Sequence, residues 1–518
     1  MKKFDWHKLS ETFYSVKEWV IKNKFLVILF LVSTSFFIWQ HYSNLSWDFS
    51  SFVMNAKYWA GAGNYYVTLW PPLMPFIILI LSPFTWAASE YLFITIVSAL
   101  FMFSTIKLSA ALKVNKELFY LLSLSPYAFY YSFLNGTELL SLMLLNLFVS
   151  SLLTKKIYSG IYLGLACLAR YNFFIFAPLL VFSKNAKFIP VAVLLFLFTL
   201  TPWFVYNYFN SGNFFTSMAD SYAQNVKYRA IYSPQPVNFL QLFDVVSFLA
   251  PIFTLGVFLT LKNWKKYFPK KIRLLRFFSA QKASLIIFGI MILSIFQYSQ
   301  IPNKDERYLF PVILPASYFS LLGLMELKKR SQTFYEFSVC ILVLLIAGFV
   351  MIIVPSYFNI KDRYIYSVNL LDSLKIQNCR TLSNAWAFLD YFGKTTEVYP
   401  RKEVLRNSLD SGNYVLFFYS TPEPTYVFNK TFLGEFSNYR IFENDQFILF
   451  GNTSKCNPER KVDQPFIKSL NESIFDAYNY SINTNPCFYL FDGRDFLEKS
   501  CNLINGKGFN LDTYRAWQ

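Results

Sequence analysis

The sequence predicts a polytopic α-helical membrane protein of about eleven transmembrane helices. An outer C-terminal domain follows, α/β or mostly β in character. Three observations predict this. Of 518 residues, 54% are hydrophobic and only 15% charged, where a soluble chain carries about a quarter charged. Apolar runs such as FLVILFLVSTSFFIW (25–39) and FSVCILVLLIAGFVMIIV (337–354) match the ~30 Å thickness of a bilayer's hydrocarbon core. The basic residues gather in short loops between such runs, at Lys155–Lys156, Lys184–Lys187, Lys262 to Arg276 and Lys328–Arg330. That distribution marks the cytoplasmic side. It also accounts for much of the net charge of +17 as a topology signal with anionic-lipid contact, so no nucleic-acid partner is expected.

The elements follow in order. Residues 1–23, MKKFDWHKLSETFYSVKEWVIKN, are basic and amphipathic and are expected to lie on the inner surface. The first apolar run starts late and lacks a small-residue cleavage site, so it reads as an uncleaved anchor. Spans are expected near 24–41, 86–112, 117–132, 139–153, 157–169, 171–183, 188–206, 240–261, 282–300, 308–325 and 334–354. Several fall below ~17 residues, which requires tilt or bending around a cavity. An odd number of crossings from an inside N-terminus puts residues 355–518 outside.

Two outer loops are long. Within residues 42–85, the stretch around Trp47, Phe52, Tyr58 and Trp59 has helical periodicity and predicts a helix on the membrane surface. PPLMPFIILILSPF (71–84) is too short and too proline-rich for a full crossing, and reads as a re-entrant or interfacial helix. The second loop, 207–238, is polar, aromatic and too long for a plain connector. Beyond 355 the apolar runs shorten to strand length, as in GNYVLFFYS (412–420) and YRIFENDQFILFG (439–451). Cys379, Cys456, Cys487 and Cys501 lie there and are disulfide candidates, with three pairings open. Cys167 and Cys340 sit in apolar runs and read as packing residues. The sequons at Asn429, Asn452, Asn471 and Asn479 fit an outside location. With two histidines and no C-x-x-C pair, a zinc site of the usual ligand types is not expected.

Ionisable residues near a bilayer are costly and mark function. Asp48 lies just past the first span. Glu138, in LNGTELL, and Arg170, in LARYN, lie at outer turns. Lys304, Asp305, Glu306 and Arg307 form a consecutive charged run before an apolar helix. The topology brings all of them to the outer face, which describes an interfacial enzyme site better than a channel lining.

Four stretches carry a family resemblance. SWDFSSFVMNAKYWAGAGNYYVTLWPPLMPF resembles the first outer loop of the GT-C superfamily of polyprenyl-phosphate-sugar-dependent glycosyltransferases. LNGTELLSLMLLNLFVSS with GLACLARYNFFIFAPLLVF resembles its central hairpins. TPWFVYNYFNSGNFFTS resembles the exit into the second outer loop in the protein-mannosyltransferase and aminoarabinose-transferase branches. NKDERYLFPVILPASYF resembles the later-span motif of the lipid-linked mannosyltransferases. The resemblance covers roughly residues 20–355. The sequence departs from it at Phe49, which follows Asp48 where many members carry a second acid.

The resemblance implies transfer of a hexose, with mannose the first choice, from a polyprenyl- or dolichyl-phosphate donor. The acceptor is a glycan, lipid or protein on the outer face, and the mechanism is inverting. Asp48 is the expected general base, with Glu138 as a second catalytic acid residue. Arg170, Lys304 and Arg307 are expected to hold the lipid phosphate, with Lys227 and Arg229 in support. Asp305 and Glu306 orient those cations or bind sugar hydroxyls. Tyr65, Tyr66, Trp70 and Tyr308 are expected to line the substrate. No cofactor is assigned, and a divalent metal is the one candidate. The expected location is the cell membrane of a bacterium or archaeon, or the endoplasmic reticulum membrane in a eukaryote. A transporter or flippase of lipid-linked glycans is the alternative, but such proteins tend to show paired halves and charges near the midplane. A third class, a scaffold whose outer domain binds a partner, leaves the clustered charges without a role.

Overall fold

A computed structural model describes residues 18–63, 65–154, 156–183, 188–222, 225, 240–265, 281–301, 304–356, 361–398, 405–419 and 434–458. Lys227, Arg229, Cys487, Cys501, Asn429, Asn471 and Asn479 lie outside the described residues, as does most of the N-terminal segment.

The chain begins with α1 (Lys24–Ser43), followed by α2 (Trp47–Trp59) and α3 (Leu73–Leu81). It continues through α4 (Trp86–Leu112), α5 (Lys116–Ser123), α6 (Pro126–Tyr131), α7 (Glu138–Leu153) and α8 (Ser159–Ala169). A 3-10 segment, Tyr171–Phe182, leads to α9 (Ile189–Ser211) and α10 (Thr216–Tyr222). Then come α11 (Leu240–Val246), α12 (Ala250–Lys265), α13 (Lys282–Gln300), a second 3-10 segment (Glu306–Val312), α14 (Ile313–Arg330) and α15 (Gln332–Ser356).

Among the described residues seven helical stretches are long and apolar enough to cross a membrane, and four shorter apolar ones lie among them. The protein is therefore an integral membrane protein. The helix expected around Trp47 to Trp59 is α2, and the one expected within 71–84 is α3 with the 3-10 turn Ser82–Phe84.

The span expected over 117–132 is not one helix. It breaks into α5 and α6 between Ser123 and Pro126. Proline lacks the amide a helix needs and forces the preceding residue to extend. Ser125 is extended (φ −58°, ψ 161°) and its hydroxyl caps α6 by accepting from the Ala128 amide at 3.3 Å.

Helix packing is close where small residues permit it. α12 and α14 lie against each other through Gly256 and Gly323. A β-carbon at Gly256 would sit 1.8 Å from the Phe319 carbonyl oxygen, and one at Gly323 would sit 2.2 Å from that of Ile252. Only glycine allows backbones this near, the packing mode favoured between membrane helices. α14 is thereby central and almost wholly buried, while α15 presents most of its apolar surface outward.

The C-terminal domain begins with α16 (Asp362–Ser373), followed by β1 (Thr381–Ser383), α17 (Trp386–Tyr391), β2 (Glu397–Val398), α18 (Leu405–Asp410), β3 (Tyr414–Phe418), β4 (Arg440–Glu443) and β5 (Phe447–Phe450). The strands form one sheet in the order β2-β1-β3-β5-β4, parallel over the first three and antiparallel over the rest. β3 is apolar at every position because both its faces are covered. Tyr414, Leu416 and Phe418 pack with Tyr364 and Phe388 on one side, while Val415 and Phe417 pack with Leu405 and Leu409 on the other. A disulfide joins Cys379 to Cys456, with Cα atoms 5.4 Å apart, and ties the approach to β1 to the chain beyond β5.

This domain rests on α2. Trp386 packs against Tyr65 and Trp47, with ring centroids 5.0 and 5.3 Å away. The Lys57 ammonium donates to the Tyr391 carbonyl at 3.0 Å.

Candidate active site

α2 is the first support of the site. Its cap is Ser46, whose hydroxyl accepts from the Phe49 amide at 3.1 Å. Asp48 stands in the first turn with no capping duty, and its carboxylate pairs with the Arg307 guanidinium.

Arg307 comes from the second 3-10 segment. Asp305 caps that segment by accepting from the Arg307 amide at 3.1 Å, and its carboxylate also pairs with the Arg307 Nε at 2.8 Å. Glu306 is fixed from α6: its backbone carbonyl accepts from the Tyr127 hydroxyl, and its carboxylate accepts from the Tyr131 hydroxyl at 3.1 Å. Tyr308 is buried, with its ring 5.7 Å from the Arg307 guanidinium centre, a distance that supports a cation–π contact.

The second pair is Glu138 with Arg170. Glu138 opens α7 after a turn that only glycine permits. Gly136 has φ +103°, and a β-carbon there would meet the Met74 sulfur at 2.7 Å and the Phe49 ring at 3.2 Å. The turn is thus wedged against α2 and α3, which sets Glu138 beside the base of α2. Arg170 caps the C-terminal end of α8 in an extended conformation, and its side chain turns back to Glu138. Glu138 lies within electrostatic reach of Arg307 and Asp48 as well. Two carboxylate–guanidinium pairs, drawn from four segments of the chain, therefore form one cluster. Their side chains keep 11% to 17% exposure at Arg307, Arg170 and Asp48, while Glu138 is fully buried.

No family model matches this chain, and no curated protein matches it. Solved structures do. ArnT from Cupriavidus metallidurans bound to undecaprenyl phosphate superposes with a TM-score of 0.53 at 11% identity, over 82% of this chain and 97% of that one. The apo state of the same protein gives a TM-score of 0.50 at 11% identity, over 86% and 100%. The fold is the GT-C fold.

Within this GT-C fold several expected site residues have other partners. The Lys304 ammonium is buried and donates to the carbonyls of Tyr298 and Ser299, each at 3.0 Å, and to that of Ile301. It closes the C-terminal end of α13, so its charge is turned into the protein rather than toward a phosphate. Tyr65 is 1% exposed, donates to the Thr396 carbonyl and packs on Trp386. It belongs to the domain contact, not to a substrate surface. Trp70 packs at a tilt against Phe52, 5.1 Å between centroids, and its indole nitrogen is buried without a hydrogen bond from the described residues. Tyr66 is half-buried among Tyr58, Trp59 and Tyr206. Among the described residues no three His, Cys, Asp or Glu side chains converge into a metal-binding group.

The structure also brings in residues that the sequence reading missed. Asp220, on α10, is buried and accepts from the Thr68 hydroxyl. Burial pushes its carboxyl up to about 6, against the pull of that hydrogen bond. It is the only acidic residue between Glu138 and Asp244, a signal the sequence did offer. His41 and Tyr391 both bond the Glu90 carboxylate, at 2.8 and 2.6 Å, and so link α1, α4 and the C-terminal domain.

Proposed function

We propose that this protein is an integral-membrane glycosyltransferase. It transfers a sugar, a hexose such as mannose, from a polyprenyl-phosphate donor to a hydroxyl of a glycan, lipid or protein on the outer face. One observation carries the reading. Asp48–Arg307 and Glu138–Arg170 form a single cluster at the edge of the apolar bundle, in a fold shared with a protein solved with undecaprenyl phosphate bound.

The chemistry asks for two functions. The acceptor hydroxyl attacks the anomeric carbon and loses its proton, while the bond from that carbon to the phosphate oxygen breaks. The polyprenyl phosphate leaves with the electron pair. In this reading Asp48 takes the proton, and Arg307 with Arg170 stabilises the charge growing on the phosphate. Single displacement at the anomeric carbon inverts its configuration. Glu138 holds Arg170 in place from inside the bundle, and Asp305 does the same for Arg307. Before the donor arrives the guanidiniums are neutralised by carboxylates, which keeps the burial of charge tolerable. The incoming phosphate then supplies the anion to guanidinium edges those carboxylates leave open.

In this arrangement residues 1–23 face the cytoplasm, residues 24–354 hold the reaction, and residues 355–518 lie on the outer side. Transfer from a polyprenyl-phosphate hexose in membranes, compared between wild type and Asp48→Asn, tests the reading. We expect a loss of about 10²–10³-fold. Full activity in the variant would remove Asp48 from the mechanism, and absence of transfer by the wild type from a panel of such donors would remove the function.

A further inference from the structure

Six aromatic residues meet where the two outer loops come together. Trp203 stacks on Tyr206, 5.1 Å between centroids with the planes 10° apart. Trp59 donates its indole N–H to the Tyr206 hydroxyl at 2.9 Å, and Tyr66 lies 6.4 Å from Tyr206 and 5.3 Å from Tyr58. The Trp203 indole donates to the hydroxyl of Tyr171 at 2.9 Å. Tyr58, Trp59, Tyr66, Tyr171 and Tyr206 are half-buried. The rings are therefore fixed to one another by hydrogen bonds and still offer surface.

Asp220 stands beside this wall. Ser217, one turn earlier on α10, bonds the Tyr171 hydroxyl at 2.9 Å and receives the Trp203 indole N–H at 2.9 Å. Asp220 itself is close enough to Tyr171 for their charges to interact. Its one described hydrogen bond comes from Thr68, two residues after Tyr66, to Oδ2. Among the described residues no cation pairs with it, and no donor reaches its other oxygen. A buried carboxylate in this condition costs stability. Asp48 and Glu138 each have an arginine, so this third acid is set apart by what it lacks.

We infer that the aromatic wall and Asp220 form the subsite that holds the sugar ring of the donor. The inference rests on the function proposed above. A sugar ring is apolar on its C–H faces and polar at its hydroxyl edge. It matches a surface of fixed rings with one charged acceptor at the rim, since hydrogen bonds to an ionised group are the stronger kind. The position agrees. Arg170, a proposed phosphate ligand, is followed directly by Tyr171, so a sugar attached to that phosphate would extend onto the wall. Thr68 fixes the carboxylate from the first loop while α10 carries it from the second, so both loops contribute to the subsite.

The test is transfer by the full-length protein in membranes, with the polyprenyl-phosphate hexose it uses and the monodeoxy analogues of that donor. Wild type should reject one deoxy analogue by about 10²-fold or more, because the carboxylate would be left without its hydroxyl. Asp220→Asn should raise donor KM at least about tenfold and bring that rejection down to a few-fold, with the other analogues unchanged. An unaltered KM and an unaltered deoxy profile in Asp220→Asn would overturn the inference while leaving the glycosyltransferase reading intact. Wild type that uses none of a panel of polyprenyl-phosphate hexoses would overturn the reading itself. If Asp220→Asn does not assemble, Thr68→Val, which frees the carboxylate from its one fixed partner, must show the same selective change. Assembly failure of both, with Asp220→Glu normal in donor selectivity, would make Asp220 a structural strut and end the proposal.

Discussion

Asp48 and Arg307, 259 positions apart in the chain, share an ion pair at the N-terminal end of α2. The pair joins α2 to the segment that opens α14. The second pair lies beside it, with Glu138 within electrostatic reach of both Asp48 and Arg307. Groups coupled in this way act as a unit.

The first prediction follows from that coupling. Asp48→Asn and Arg307→Ala should each lower transfer by about 10²–10³-fold. The double variant should fall little below the worse single one, because partners in one network are not additive. Rates of the three variants under one donor concentration read this directly. Independent, multiplying losses would mean that the two residues serve separate steps.

Glu138 is fully buried, so its partner cannot be removed without consequence. Arg170→Ala should lower the stability of the bundle by ~3–5 kcal/mol, whereas Glu138→Gln with Arg170→Met should recover much of that loss, since removing both charges is milder than stranding one. Thermal unfolding in detergent measures it. Equal melting of Arg170→Ala and wild type would show that the pair contributes nothing to the fold.

Lys304 separates capping from phosphate binding. Lys304→Met strips three carbonyls at the end of α13 of their donor, at about 1 kcal/mol or more per bond. The melting temperature should fall and donor KM should stay unchanged. A raised KM at unchanged stability would return Lys304 to the phosphate.

The fold class, the helices α2 and α3 and the strand character of 439–451 were all legible in the sequence. Period and composition decide them locally. Asn444, for instance, accepts from the amides of Gln446 and Phe447 at 2.9 Å each, which is turn chemistry carried by the residues themselves. The site was half legible. Sidedness alone brought Asp48, Glu138, Arg170 and Arg307 to one face. Which acid takes which arginine depends on helix packing that no local pattern encodes. Lys304 and Tyr65 read as site residues because charge and aromaticity look alike whether they face a substrate or a backbone carbonyl. Asp220 was passed over because one acid in a polar loop is unremarkable until its burial is known.

Asp220 gives a pH-dependent prediction. Burial raises its carboxyl from the ordinary 3.8 to about 6, so the folded protein holds this proton more tightly than the unfolded chain. Its contribution favours folding at low pH and is lost as pH rises from about 4 to about 6. The groups facing it are the Thr68 hydroxyl and Tyr171, which stays neutral through that window. Melting temperatures of Asp220→Asn and wild type should therefore coincide near pH 4, with the variant higher at pH 7. A variant less stable at pH 7 than at pH 4, relative to wild type, contradicts this account.

The joint between bundle and C-terminal domain supplies a further prediction. Glu90 accepts from His41 and Tyr391, and lies in the field of Lys57 and Lys361, the latter lowered to about 8 by burial. Glu90→Gln leaves those cations without their shared anion. The C-terminal domain should then be cut faster by limited proteolysis, with the bundle unchanged. Identical cleavage rates would show that the aromatic contacts of Trp386 hold the domain unaided.

The central claim is that Arg307 and Arg170 receive the donor's phosphate beside Asp48. A cryo-EM map of the full chain with polyprenyl phosphate bound tests it most directly. The account predicts phosphate density within hydrogen-bond distance of both guanidiniums, with the Asp48 carboxylate facing the open side of the same pocket. Phosphate density elsewhere, with both arginines still closed on Asp48 and Glu138 alone, would contradict it.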